Sequence, residues 1–419
     1  MQATEQLKFR WFVIFLVAFI SMLDYIDRSA LSYAIPLISK EYGLTVIQKG
    51  YIFGAFAVGY LMTTLWSGVL VDRFGARNTL GVAVIFWGLS LIGCAFSTNF
   101  IGFFVARFFL GISEGPNFPS LSRATGNWLL ERERVKALSW ALVSVPLALA
   151  VGSVVVTYLI LNFGWREMFI ILAILSVIWV PFWFFFFRDK PEKSSYTHYQ
   201  PLPPGEFQDQ VKPKGKVPWK IIIFHPTLLS TYWAFFVFGY MLFFFMSWLP
   251  SYLSRAYHLN LQSQGVLTFL PWACAAVLMI LVGYYGDALH KKGISRRVTR
   301  SWFIMGTLFL SALSLIPMLL HPSLIVAIIC ISLGVGIFMS ANAAYYAIPL
   351  DCIPKWTGTT IGLMCAWFAL SGIVSPIITS WLIEKTGDYR SAFGILIVLC
   401  MSAIVTTGIF NWPDEVVDV

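Results

Sequence analysis

Four ionisable side chains sit in stretches that are otherwise apolar: Asp27 and Arg28 in one, Arg107 and Glu114 in another, with Asp24 close to the first pair. A charge at the centre of a bilayer costs about 2.5–3.5 kcal/mol on insertion scales, so such groups face a cavity or one another. Helical spacing lets them meet. Asp24 and Arg28 are four residues apart and share a face. Arg107 and Glu114 are seven apart, two turns, which places them nearly in line and roughly 10.5 Å apart along the axis. Two arginines and two acids sum to zero, and an anion arriving at that set is repelled by the acids. Protonating Asp27 or Glu114 frees arginine charge for a carboxylate, best met by a bidentate contact. That is the charge logic of a proton-coupled anion carrier. A buried ion-pair network that only fixes helix packing is the alternative.

The elements that hold these groups follow from composition. Of 419 residues, 58% are hydrophobic and 12% charged, against about 25% charged in soluble domains. That excludes a soluble enzyme, a disordered chain and a nucleic-acid binder. A helix needs about 20 apolar residues to cross a bilayer. Twelve segments meet that length, near 11–36, 50–71, 79–98, 101–123, 136–161, 166–187, 226–252, 263–287, 300–320, 323–349, 357–383 and 391–411. The first carries Asp24, Asp27 and Arg28 and has no small-residue cleavage site, so it reads as a retained span rather than a signal peptide. Placing both termini in the cytoplasm puts 21 of the 29 Lys and Arg on the inner side, and this bias predicts an N-in, C-in orientation. The net charge of +9 is therefore mostly topological. Five of the six cysteines lie within spans and Cys352 on an inner loop, so no disulfide framework is expected.

Residues 188–225 carry six prolines and many charges without an apolar span. They divide a six-helix unit over 1–187 from a second over 226–419. Weak repeats relate the two. Gly68-x-x-x-Asp72 matches Gly283-x-x-x-Asp287, and Trp165-Arg166-x-x-Phe169 matches Tyr389-Arg390-x-x-Phe393. Duplicated six-span halves predict a transporter fold with its site at the midplane between them. Breaks are expected after Glu114, at Gly115, Pro116 and Pro119, and at Pro146, Pro250 and Pro376. Second-half polar groups are mild: Asn342 and Ser371 are the candidates for ligand contacts, with Tyr345, Tyr346 and Ser375 near them.

Gly111-Ile-Ser113-Glu114-Gly115 matches a G-x-S-x-G nucleophile elbow, but it lies inside an apolar helix and all five histidines sit in loops or at span ends. No metal-ligand or phosphate-loop pattern appears, so neither an enzyme nor a metal or cofactor site is expected. A channel lacks its filter repeat. A membrane scaffold or receptor has no need of paired mid-span charges, and remains as the class outside transport.

Gly68-Val-Leu-Val-Asp72-Arg73-Phe74-Gly75-Ala76-Arg77 resembles the loop between spans 2 and 3 of the major facilitator superfamily. Its role there is a clamp of basic side chains on an acid and on helix C-terminal carbonyls. Resemblance therefore assigns Gly68, Asp72, Arg73, Gly75 and Arg77, with Asp287 in the repeat, to conformational gating. Tyr25-x-Asp27-Arg28, Arg107-Phe-Phe-Leu-Gly111-Ile-Ser-Glu114-Gly115-Pro116-Asn117-Phe118-Pro119 and Trp248-Leu-Pro250-Ser-Tyr252-Leu resemble the superfamily's anion:cation symporters. Those include hexuronate, galactonate, glucarate and phthalate permeases, with sialin and the vesicular glutamate transporters as relatives.

By that resemblance Asp27 and Glu114 are proton-coupling acids, Arg28 and Arg107 bind the substrate carboxylate, and Tyr25 and Tyr60 orient it. It implies a multi-pass cell-membrane protein, in the inner membrane if bacterial. Such a protein takes up a small organic anion by proton symport, as a monomer in the bilayer, with the proton as its only coupling ion. The same fold working as an exporter or a potential-driven carrier is the runner-up. Sugar-acid members usually carry an asparagine in a G-L-x-N stretch of span 11. This chain reads Gly362-Leu363-Met364-Cys365, and offers Val145-Pro146 in span 5 where a glutamine is expected. An aromatic, aliphatic or polycarboxylate anion therefore stays open.

Overall fold

A backbone in lipid finds no water to satisfy its N–H and C=O groups, so it must bond to itself, and helices do this within one segment. The computed structural model describes residues 2–129, 131–189, 217–290 and 295–414, and the regular structure in them is all helical. The first half contains α1 (Gln2–Tyr42), α2 (Val46–Phe96), α3 (Phe100–Glu114), α4 (Asn117–Trp128), α5 (Glu131–Phe163) and α6 (Trp165–Phe186). After the short α7 (Trp219–Phe224) come α8 (Pro226–Tyr257), α9 (Leu261–His290), α10 (Phe303–Leu315), α11 (Leu324–Ser340), α12 (Asn342–Cys352), α13 (Thr357–Thr386) and α14 (Arg390–Phe410). Ten helices among the described residues are long and apolar enough to cross a membrane.

The helices depart from the predicted segments where backbone chemistry intervenes. Segments 50–71 and 79–98 form one helical run, α2, of 51 residues, interrupted at Gly75 (φ 80°, ψ 157°). A side chain there would be strained, so glycine suits the break. Thr45 and Gln48 cap its start reciprocally. Segment 101–123 parts into α3 and α4 at Gly115–Pro116, as the prolines led one to expect. Segment 323–349 parts likewise at Ala341 (ψ −4°), where no proline announced it. Conversely Pro146, Pro250 and Pro376 lie inside unbroken α5, α8 and α13. One proline removes one hydrogen bond, which bends a long helix without ending it. Of the linker predicted over 188–225, residues 190–216 lie outside the described ones, and α7 occupies its end.

The halves meet chiefly along two pairs, α2 with α13 and α5 with α9. Helix α8 is buried along most of its length and is wedged by aromatic packing. Phe235 and Phe238 stack on each other and make tilted contacts with Tyr345 of α12 and Phe368 of α13.

Candidate functional site

Helix α1 brings Asp24, Tyr25, Asp27 and Arg28 to the centre of the first half. The broken α3/α4 pair supplies Arg107, Glu114 and Asn117. Each of the five ionisable groups is 3% exposed or less. Arg28 is the hub. Its Nε donates to Glu114 Oε2 at 2.7 Å, and its Nη2 lies 2.9 Å from Asp24 Oδ1 and donates to Oδ2 at 3.0 Å. Asn117 Nδ2 donates to the same Asp24 Oδ2 at 3.1 Å, and Ser21 donates to Asn117 Oδ1 at 3.2 Å.

Three rings cover the Arg28 guanidinium: Tyr25, Phe56 and Tyr60, at 4.8, 4.9 and 4.7 Å from their centroids. Such faces replace part of the hydration a buried cation gives up. Arg107 leans on the same Phe56 ring, at 5.1 Å, so one aromatic side chain contacts both arginines. The close approach of α2 and α3 that allows this depends on Gly111. A Cβ there would collide with the Phe56 carbonyl and come within 2.8 Å of Tyr60 N.

The remaining valences matter most. Arg107 Nε and Nη1 are buried without a hydrogen-bond partner. Asp27 Oδ2 accepts from Trp87 Nε1 at 2.7 Å, while among the described residues its Oδ1 has no donor and no arginine stands within ion-pair distance of it. Sequence spacing put Arg107 and Glu114 in line, yet Glu114 is bound to Arg28 across to α1 instead. Axial spacing on one helix does not say which neighbour each side chain turns toward.

From the second half, Tyr346 of α12 and Cys365 of α13 are in hydrogen-bonding reach of each other and stand close to Tyr25 and Tyr60. Both are only half-buried. Neither Tyr346 nor Cys365 was singled out as a ligand contact from sequence. The residues that were are placed differently. Ser371 donates to its own helix at Phe368 O (2.6 Å) and packs against Gly239. Asn342 is buried with Oδ1 unpaired. Asp24 meets Arg28 as their spacing of four predicts, whereas Asn117, Trp87 and Phe56 were missed.

Of the residues that the resemblance assigns to gating, Gly68, Asp72, Arg73, Gly75 and Arg77 lie on α2 around the Gly75 break. Arg77 N donates to Asp189 at 3.1 Å, and its side chain reaches the carbonyls of Phe187 (3.0 Å) and Phe184 (2.6 Å) at the end of α6. Asp72 makes an exposed contact with Arg123 at 3.4 Å, and Arg73 lies over Phe74. Gly68 has open space where a side chain would be. The Asp287 side chain lies outside the described residues.

Comparison with known proteins agrees with this geometry. The family model described as Major Facilitator Superfamily matches residues 17–376. The chain is 32% identical to the "Probable sulfoacetate transporter" of Cupriavidus necator, over 98% of this chain and 97% of that one. It is 29% identical to the "Hexuronate transporter" of Bacillus subtilis, over 94% and 93%. In fold it is similar to a bacterial homologue of the human lysosomal transporter Spinster, crystallised inward-facing and occupied. The TM-score is 0.76 at 16% identity, covering 96% of this chain and 97% of that one. With charges buried at mid-helix and organic-anion carriers as relatives along its whole length, the chain belongs to the Major Facilitator Superfamily. It is a multi-pass membrane transporter consistent with the anion:cation symporter group, and not an enzyme.

Proposed function

We propose that the protein takes up a small organic anion by proton symport. The reading rests on one observation: Arg107, buried in the first half, has two nitrogens without a partner, while its companion Arg28 is held by Asp24 and Glu114. An unpaired buried guanidinium is expensive to maintain, and a ligand carboxylate repays it with two charge-assisted bonds. Asp27 has no cation of its own and carries the proton that keeps the site neutral when the anion arrives. Glu114 takes a proton as Arg28 turns toward the ligand. Tyr25 and Tyr60 orient the anion from the first half, Tyr346 and Cys365 from the second.

The same reading takes α2 as two spans joined at Gly75, since 51 helical residues run about 76 Å, more than twice a bilayer core of roughly 30 Å. It also takes α3 with α4 as one further span. Twelve spans result, with both termini cytoplasmic, the halves rocking about the site and the chain working as a monomer. The relatives carry a sulfoacetate and a hexuronate by name. A small carboxylate with a second polar head fits two arginines spaced by one ring.

The test is accumulation in proteoliposomes under an inward proton gradient, with sulfoacetate, hexuronates and aromatic acids offered in turn. Uptake of at least one anion should collapse with an uncoupler. Glu114→Gln should still exchange that anion across the membrane without accumulating it. Gradient-driven accumulation at the wild-type level in Glu114→Gln would overturn the coupling assignment.

A further inference from the structure

Asp27 and Arg28 are neighbours in sequence but not partners. Adjacent residues on a helix point about 100° apart, so while Arg28 turns to Asp24 and Glu114, Asp27 turns to α2. There Trp87 meets it. The indole is 1% exposed, among the largest of the fully buried side chains, and its Nε1 donates to Asp27 Oδ2 at 2.7 Å. The helix is seated closely at that level: a Cβ on Gly88 would stand 2.5 Å from Val177 Cγ2 of α6. Asp27 Oδ1 is buried and accepts from no donor among the described residues.

The two oxygens of this carboxyl are therefore unequal, and the indole fixes which is which. An indole N–H donates and never accepts. It bonds a carboxylate, and it bonds a neutral acid at an acceptor oxygen, where a carbonyl serves better than a hydroxyl. A proton on Oδ1 leaves Oδ2 as the carbonyl and keeps the Trp87 bond. A proton on Oδ2 weakens that bond and gives Oδ1 nothing in return. A hydroxyl at Oδ1 is also uncharged, and so costs less to bury unpaired than a carboxylate oxygen. The other charged or titratable groups that act on Asp27 are Asp24 and Arg28 of α1, Cys94 of α2 and Arg107 of α3. Among the described residues none of them is hydrogen-bonded or ion-paired to it.

We propose that Trp87 is the positioning residue of Asp27, holding Oδ2 in both protonation states so that the coupling proton is taken up and released at Oδ1 alone. This rests on the symport reading above and deepens it: Asp27 carries the proton, and Trp87 decides on which atom. The only bond made and broken is Oδ1–H. Water on the side the anion comes from gives the proton, and water on the other side receives it.

The test is infrared spectroscopy of the purified protein over a pH series in H2O and D2O. The C=O stretch of protonated Asp27 is the band that shifts in D2O and is absent from Asp27→Asn. In wild type that carbonyl is Oδ2, bonded by the indole, so its stretch should lie below that of a free acid. In Trp87→Phe it should rise to the free-acid position. A proton on Oδ2 would instead make the unbonded Oδ1 the carbonyl. The band would then stand at the free-acid position in wild type and stay there in Trp87→Phe, which overturns the assignment. So does the lack of an Asp27 band at every pH at which the protein stays folded. Thermal melts accompany each sample, since phenylalanine leaves a gap in a packed core. If Trp87→Phe does not fold, the position of the wild-type band decides alone. No step needs substrate or a gradient, so proton-driven uptake in vesicles succeeds or fails independently and bears on the symport reading alone.

Discussion

In the first half the chain breaks between α3 and α4 at Gly115–Pro116, and in the second between α11 and α12 at Ala341. The first break carries Glu114 and Asn117 into a cluster of five buried ionisable groups. The second carries Asn342, Tyr345 and Tyr346, all uncharged, into a bed of phenylalanines from α8. Duplicated architecture has thus been filled with opposite chemistry. Ion pairs are directional and costly to break in a low dielectric, and here they lie within one half, where the proposed rocking would not separate them. Neutral and aromatic contacts slide at little cost. On the proposed function, charge recognition falls to the first half and shape recognition to the second.

The largest way to break that division is to remove its anchor. Arg107→Ala should weaken anion binding by about a hundredfold or more, since two charge-assisted bonds are worth about 3 kcal/mol or more together. Binding to the purified protein, measured by calorimetry, checks this. Arg107→Lys should recover little, because an ammonium lacks the planar fork. Wild-type affinity in Arg107→Ala would move the anchor to Arg28.

Phe56 is next, as the ring both arginines share. Phe56→Leu removes one cation–π face from each, together about 1–2 kcal/mol, so affinity should fall roughly five- to thirtyfold with Phe56→Tyr near wild type. If leucine binds as well as tyrosine, the ring is only a spacer.

Much of the first half could be read from the sequence, and much of the second could not. Apolar length gave the helices, and the cost of buried charge picked out Asp27, Arg28, Arg107 and Glu114. What failed was direction. Trp87 reaches Asp27 across sixty residues, and Glu114 turns to Arg28 rather than along its own helix; neither follows from spacing. In the second half residue type misled. A serine in a helix satisfies itself on the preceding turn, as Ser371 does on Phe368 O, so its polarity says nothing of a cavity. Cys365, read only as a missing asparagine, stands beside Tyr346 and near Tyr25 and Tyr60 of the first half.

That position gives a smaller, sharper test of the second half. Cys365→Asn adds a donor and an acceptor where a thiol offers weak ones. It should favour hydroxylated sugar acids over their deoxy analogues by about three- to tenfold, one ordinary hydrogen bond, read as a ratio of uptake rates. An equal change for both would mean that Cys365 acts on access rather than recognition.

The smallest effect is expected where the second half does carry charge. Arg390 and Asp388 pair at 2.5 Å, with His321 at 3.4 Å from the same carboxylate. Arg166, the first-half counterpart of Arg390, instead reaches Glu41 of α1 at 2.6 Å and so ties two helices. Burial pushes the Asp388 carboxyl upward, but bonds from the Arg390 backbone and guanidinium outweigh it and hold the group below the usual carboxylate range. A carboxyl depressed in the fold stabilises fully above its unfolded value, and that stabilisation fades as pH falls through the folded one. Partly exposed pairs contribute roughly 0.2–1 kcal/mol. Asp388→Asn should therefore lower the melting temperature slightly at neutral pH, with the difference closing in acid below the usual carboxylate range, and leave anion affinity untouched. A loss of affinity in Asp388→Asn would mean that second-half charge takes part in recognition after all, and the division between the halves would fail.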